Sequence, residues 1–249
     1  MRPGTLALLM VLILALQAVG HVALRLFGPR AGLALSGLFS GFVSSTATIA
    51  AMGSRARQEP AQAAACEAGA MLSTAATWAQ SLLMLAVVAP PAALALLLVA
   101  GAGLAEALAS GVWRARSGGP AGANAPHRPG PQGALRLREV ATVALLLTGV
   151  SLAVSWAQRV FGDAGLLAGV ALAALADAQS ALPALGALHA SGQASTATVL
   201  PCVLVAISTN ALTGTVTAFV TGDAGFGQRL ALSLTASTGA ARGAAAVFK

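Results

Sequence analysis

The chain has 249 residues, 57% of them hydrophobic and 8% charged, with a mean hydropathy of +0.82. A soluble domain carries about 25% charged residues, so this composition excludes a water-soluble globule and predicts an all-α, polytopic transmembrane helical bundle. The formal charge of +7 does not signal nucleic acid, because the positive groups are nearly all Arg at the ends of apolar runs and form no basic amphipathic face.

Eight apolar runs follow in chain order, at roughly 5–27, 32–53, 63–88, 91–112, 138–160, 165–187, 195–220 and 229–247. The opening "MRPGTLALLMVLILALQAVG" mimics a secretory signal, but the internal repeat described below favours a retained first span. Gly and Pro punctuate the breaks at "FGPRAG", "GSRARQEPA", "APPA", "FGDAG", "LHASGQAS" and "TGDAGFG". The segment 113–137 is rich in Gly, Pro and Arg and reads as an exposed cytoplasmic linker holding His127. It separates a first membrane repeat, 1–112, from a second, 138–249, each with four spans.

Eight spans place nine Arg and Lys on the side of the N-terminus: Arg2, Arg55, Arg57, Arg114, Arg116, Arg128, Arg136, Arg138 and Lys249. Four fall opposite, at Arg25, Arg30, Arg159 and Arg229, and Arg242 lies inside the last run. The positive-inside rule then puts both termini in the cytoplasm.

The two halves share a pattern. "RLFGPRAGLALSGLFSGFVSSTATIAAM" and "RVFGDAGLLAGVALAALADAQSALPAL" both begin Arg-x-Phe-Gly, and from Gly32 and Gly165 the register runs 133 residues apart. Ser73-Thr74 falls opposite Ser208-Thr209 at an offset of 135. Four spans per half imply a parallel repeat about an axis along the membrane normal, whereas one re-entrant or missing span per half makes the repeat inverted.

"LRLFGPRAGLALSGLFSGFVSSTATIAAMGSRAR", "FGDAGLLAGVALAALAD" and "STNAL" resemble the C-terminal membrane domain of unknown function that follows the MgtC/SapB module in a group of bacterial membrane proteins. The resemblance covers nearly the whole chain and implies an inner-membrane location without an activity. Members of that group tend to read Ala-Asp-x-Asp-Ala where this chain has "ADAQS", so Asp177 matches the first acid and Gln179 replaces the second. They also tend to carry a Lys where this chain has Gly214, one turn after Asn210. Losing both groups fits the loss of an intramembrane ion pair.

Asp177 is the leading candidate for chemistry, since a carboxylate within a span costs about 2.5–3.5 kcal/mol and usually faces a wet interior. Its structural alternative is a capped contact with Ser44, Thr46 or Asn210. Ser36, Ser40, Ser44 and Thr48 recur every four residues along one helical face. Ser73, Thr77 and Ser81, and likewise Thr209, Thr213, Thr217 and Thr221, form similar stripes. Such stripes serve close helix packing, as Gly37-x-x-x-Gly41 does, or line a polar path. Glu67 reaches the interface or pairs with Arg55 or Arg57, Glu106 can snorkel, and Gln80 and Asn210 need partners within a span.

No Ser-His-Asp, HExxH or P-loop spacing occurs, the three His do not cluster, and Cys66 and Cys202 belong to no metal motif. The expectation is therefore no enzyme, no metal and no cofactor. The chain reads as a small transporter or channel for an ion or small polar solute, bounded by the lipid bilayer. Its site lies between the second and sixth runs, flanked by the third and seventh. Asp177 supplies charge, and Ser44, Ser45, Thr46, Gln179, Ser180 and Asn210 supply ligands; Glu67, Glu106, Gln80, Thr209 and Thr213 are further candidates. The competing class is a non-transporting regulatory or scaffold protein that docks to a second copy or another membrane protein through small-residue faces.

Overall fold

A computed structural model describes residues 32–88, 90–117, 165–175, 178–190 and 194–247, with isolated positions among 11–26, 156–162 and 192. Most of the first and fifth predicted runs, the linker beyond Ser117 and Asp177 lie outside the described residues. Those described are helical, with no strand among them. The helices are α1 (Gly32–Gly41), α2 (Ser45–Gln58), α3 (Ala63–Val88), α4 (Pro90–Ser117), α5 (Gly165–Leu175), α6 (Ala178–Ala190), α7 (Thr196–Thr221) and α8 (Ala224–Val247). Three stretches are long and apolar enough to cross a membrane: Pro60–Val87, Leu96–Ser117 and Ala197–Thr221.

Local chemistry sets the ends. A 3-10 turn at Pro60–Gln62 leads into α3, and α4 opens on Pro90-Pro91, where a missing N–H is harmless. α4 continues through Trp113–Ser117, so the predicted linker begins later than residue 113. Ser195 caps α7 by accepting from Thr198 N at 3.2 Å, and Asp223 Oδ1 accepts from Phe226 N at 2.6 Å to start α8.

The predicted second span is not one helix. α1 stops at Gly41, and Phe42–Ser44 leave the helical path, Ser44 being extended at φ −164° and ψ 114°. Both arms then lie on the same half of α3. Gly37 touches Gly69, and a Cβ on Gly41 would stand 2.7 Å from Ser73 Cα, so α1 ascends beside α3. Ser45 shares a cavity with Thr74 and Thr77. Met52 has returned to Gly69, where a Cβ would meet its Sδ at 3.3 Å and the Leu33 carbonyl at 2.8 Å. The chain therefore enters and leaves at one end of the bundle, as a helical hairpin with its tip beside the middle of α3.

That end also holds the finish of α7 and the start of α8, because a Cβ on Gly53 would lie 2.5 Å from Thr221 Oγ1 and 3.2 Å from Phe226. Arg114 of α4 and Arg229 of α8 both pair with Glu67 there. Arg229 thus stands with Arg55, Arg57, Arg114 and Arg116, not opposite them as eight crossings require. α3 and α8 run away from this end, and α4 and α7 run toward it.

The elements repeat in length: α3 and α7 are both 26 residues and start 133 positions apart, as do α2 and α6. α3 and α7 run in opposite directions. Close packing fills the interface. Trp78 lies on Gly103, donates through Nε1 to Ser237 Oγ at 2.7 Å, and Ser237 donates to the Gly103 carbonyl at 2.9 Å. Ser110 and Ser233 join α4 to α8 at 2.8 Å.

Candidate functional site

At the hairpin tip the hydroxyls replace the backbone bonds that the break removes. Ser44 Oγ accepts from Ala47 N at 3.2 Å, capping α2, and Thr48 Oγ1 donates to the Ser44 carbonyl at 2.7 Å. Ser40 Oγ and Thr48 Oγ1 meet at 2.7 Å across the two arms, and Ser36 donates to the Leu33 carbonyl at 2.9 Å. The four-residue recurrence of Ser36, Ser40, Ser44 and Thr48 belongs to a folded-back segment, not to one continuous helical face.

Beside the tip lies a cavity whose water-accessible volume is about 10 Å³, close to the minimum that admits one water molecule. Its polar lining is Ser45, Thr74, Thr77, Asn210 and Thr238. Ile49, Ile207, Ala211 and Leu234 complete the wall. Thr77 donates to the Ser73 carbonyl at 3.3 Å and Thr238 to the Leu234 carbonyl at 2.9 Å. Ser45 and Thr74, each 8% exposed, have no side-chain hydrogen bond among the described residues, and neither does Asn210.

Two predicted site residues, Ser45 and Asn210, thus come together. Ser44 serves as the cap and Thr46 is half-buried in the first turn of α2. Gln179 and Ser180 fall in the first turn of α6, while Asp177 lies outside the described residues. The described wall comes from α2, α3, α7 and α8. Thr74 and Thr238 were missed. Thr74 had a signal in the Ser73-Thr74 pairing of the two halves, whereas Thr238 had none beyond being a hydroxyl in the last run.

The other candidates divide by role. In the α3 and α7 stripes, Ser73, Ser81, Thr217 and Thr221 donate to carbonyls of their own helices at 2.6–2.8 Å. Thr213 donates to the Thr209 carbonyl at 3.3 Å and to the Leu175 carbonyl of α5 at 3.2 Å. Gln80 is buried in α3. Glu106, in α4, has a buried Oε2 without a hydrogen bond and does not line the cavity. Glu67 is 1% exposed and clamped between Arg114 Nε and Arg229 Nη1, the latter at 2.6 Å. Arg55 reaches Glu59 instead, at 3.8 Å. Arg242 donates to Ser208 Oγ at 2.9 Å, and no cluster of metal-ligating side chains occurs among the described residues.

Three of the described helices are long and apolar enough to cross a membrane, which is consistent with a membrane protein. The chain belongs to the family described as a domain of unknown function, DUF4010, whose model matches residues 11–222. Nothing in that match ties the chain to an MgtC/SapB module. No curated protein and no solved structure matches the chain.

Proposed function

We propose that this protein is a small inner-membrane transporter or channel that passes an ion or small polar solute through the cavity at the hairpin tip. The observation that carries the reading is the depth of that tip. Gly41 packs on Ser73, ten residues into α3, which at 1.5 Å per residue is about 15 Å and half of a hydrocarbon core of about 30 Å. Non-helical backbone is tolerated at such depth only where it is buried in protein or lines a cavity. Discontinuous helices at the midplane are a recurring way to build transport sites.

In this reading α1–α2 is a re-entrant hairpin and the two halves form an inverted repeat. The opposite directions of α3 and α7, at an offset of 133, support it. Five of the six described Arg lie at one end, which the positive-inside rule makes cytoplasmic. The linker after Ser117 is then cytoplasmic, and the C-terminus is on the far side. Asp177 supplies a charge to the path on the sequence reading, with Gln179 and Ser180 beside it.

The test is solute flux in liposomes holding the purified chain, screened across cations, anions and small neutral metabolites. A saturable flux reduced at least tenfold by Ser45→Leu, which fills the cavity, is the expected result. Absence of flux for every class would turn the reading to the second one, a docking subunit. That alternative draws on Gly239 and Gly243 of α8, where an added Cβ meets nothing within 4 Å and a helix could pack closely.

A further inference from the structure

We propose that Glu106 is a proton-binding site inside the membrane, a carboxyl that is neutral because it carries a proton. The proposal rests on the transport reading only for its purpose, where it names the proton as the coupling ion. The first observation is depth. Glu106 lies within Leu96–Ser117, a stretch long and apolar enough to cross a membrane. It stands eight residues before Arg114, which meets Glu67 at the arginine end, and so about 12 Å further in. A carboxylate at such a position is costly and marks a functional group by default.

The second observation is the surroundings of the carboxyl. Its Oε2 is buried without a hydrogen-bond partner, and Glu106 has no ion pair among the described residues. Gly103 lies three residues before it and Ser110 four after, so links to α8 bracket the acid along α4. The Gly103 carbonyl accepts from Ser237 at 2.9 Å, and Ser110 meets Ser233 at 2.8 Å. The hydroxyls of both links are thus engaged.

The charged groups of the helices packed against α4 are also engaged elsewhere. α3, α7 and α8 make those contacts. Glu67 of α3 holds Arg114 and Arg229, and Arg242 of α8 donates to Ser208 Oγ at 2.9 Å. The other titratable side chains on these helices are the buried Cys66 and Cys202, and Arg116 lies in the last turn of α4.

An ionised carboxylate with an oxygen walled off from donors is unfavourable in an apolar interior, and such a group neutralises instead. Glu67 avoids this through two guanidinium groups. Glu106 has no such counter-charge among the described residues, so a proton is what neutralises it. A single carboxyl suits a proton, whereas hard metal cations take several oxygen ligands.

The experiment treats the full chain in nanodiscs with dicyclohexylcarbodiimide, a lipid-soluble probe of protonated carboxyls. The carboxyl oxygen bonds to the carbodiimide carbon, the proton passes to nitrogen, and nothing leaves. Mass mapping of peptides should find the probe on Glu106 at neutral pH and not on Glu67. That label should fall about tenfold per pH unit once the acid titrates. The infrared carbonyl band of a protonated carboxyl is read alongside it, since it needs no access by the probe. At neutral pH the band should weaken in Glu106→Gln and persist in Glu59→Gln. Glu106→Gln keeps the shape of the neutral acid and should leave the unfolding midpoint unchanged.

An infrared band that Glu106→Gln does not alter overturns the proposal. A fall in that variant's midpoint also overturns it, being the mark of an ionised and paired carboxylate. Liposome flux separates this site from the transport reading. Flux with an ionised Glu106 leaves transport standing and removes the proton site. A protonated Glu106 without flux of any solute does the reverse.

Discussion

The arginine end and the hairpin tip treat polar groups in opposite ways. At the arginine end a buried carboxylate, Glu67, is fully paired by guanidinium groups from α4 and α8. At the tip the described groups are uncharged, and three of them, Ser45, Thr74 and Asn210, are left without partners. The Glu67 ion pairs staple α3 to α4 and α8. Unpaired dipoles sit about 15 Å further in, where an occupant could use them. Glu67, the buried acid of α3, is thus spent on structure.

Glu67→Ala is the strongest way to break that contrast. Removing one member of a buried ion pair costs about 3–5 kcal/mol, so the unfolding midpoint in detergent should fall furthest of any variant considered. Arg229→Ala should cost much less, since its side chain is 53% exposed and solvent screens the pair. Equal losses in the two variants would mean that Arg229 is as essential to the staple as the buried acid.

Gly37→Ala comes next. Its new Cβ would fall on the Gly69 backbone, which cannot yield as a flexible side chain would, and overpacking of this kind costs about 1–3 kcal/mol. Gly239→Ala is the control, because a Cβ there meets nothing within 4 Å. A Gly37→Ala variant as stable as Gly239→Ala would argue that α1 does not pack on α3.

Ser44→Ala removes the cap of α2 and should cost about 1 kcal/mol. Ser44→Asp should restore most of that stability by accepting the same Ala47 amide. The smallest stability effect is expected for Thr74→Val, within about 0.5 kcal/mol, because its hydroxyl has no partner to lose. A drop above 1 kcal/mol there would show that the hydroxyl is structurally engaged and that the tip resembles the arginine end after all.

Much of the frame is legible in the residues. The 133-residue register between Gly32 and Gly165 recurs in the starts of α2 and α6 and of α3 and α7. The Gly-Pro breaks mark most helix ends. What misleads is "SGLFSGFVSSTATIAAM", because an apolar run of about 20 residues with a GxxxG motif fits a crossing helix by length. The signal against it is local: Gly41, then β-branched Val43, then Ser44 and Ser45, a helix stop followed by a capping residue. Folding that segment back puts Arg229 at the same end as Arg55 and Arg114.

Other features lie beyond sequence patterning. Glu67 and Arg229 are 162 residues apart, and nothing in spacing pairs them in preference to Arg55 or Arg57. Thr238 joins the cavity only because α8 packs between α4 and α7. The recurrence of Ser and Thr could mean packing or a path. The hydroxyls of α3 and α7 mostly bond within their own helices.

The hairpin itself is the central claim, and thiol labelling from each side of sealed vesicles tests it most directly. With Cys66 and Cys202 replaced by Ala, single cysteines at Leu35 and Gln58 report the two ends of α1–α2. A membrane-impermeant reagent should label both from the same side, the cytoplasmic one. Labelling of Leu35→Cys and Gln58→Cys from opposite sides would mean that the segment crosses the bilayer and would contradict the hairpin.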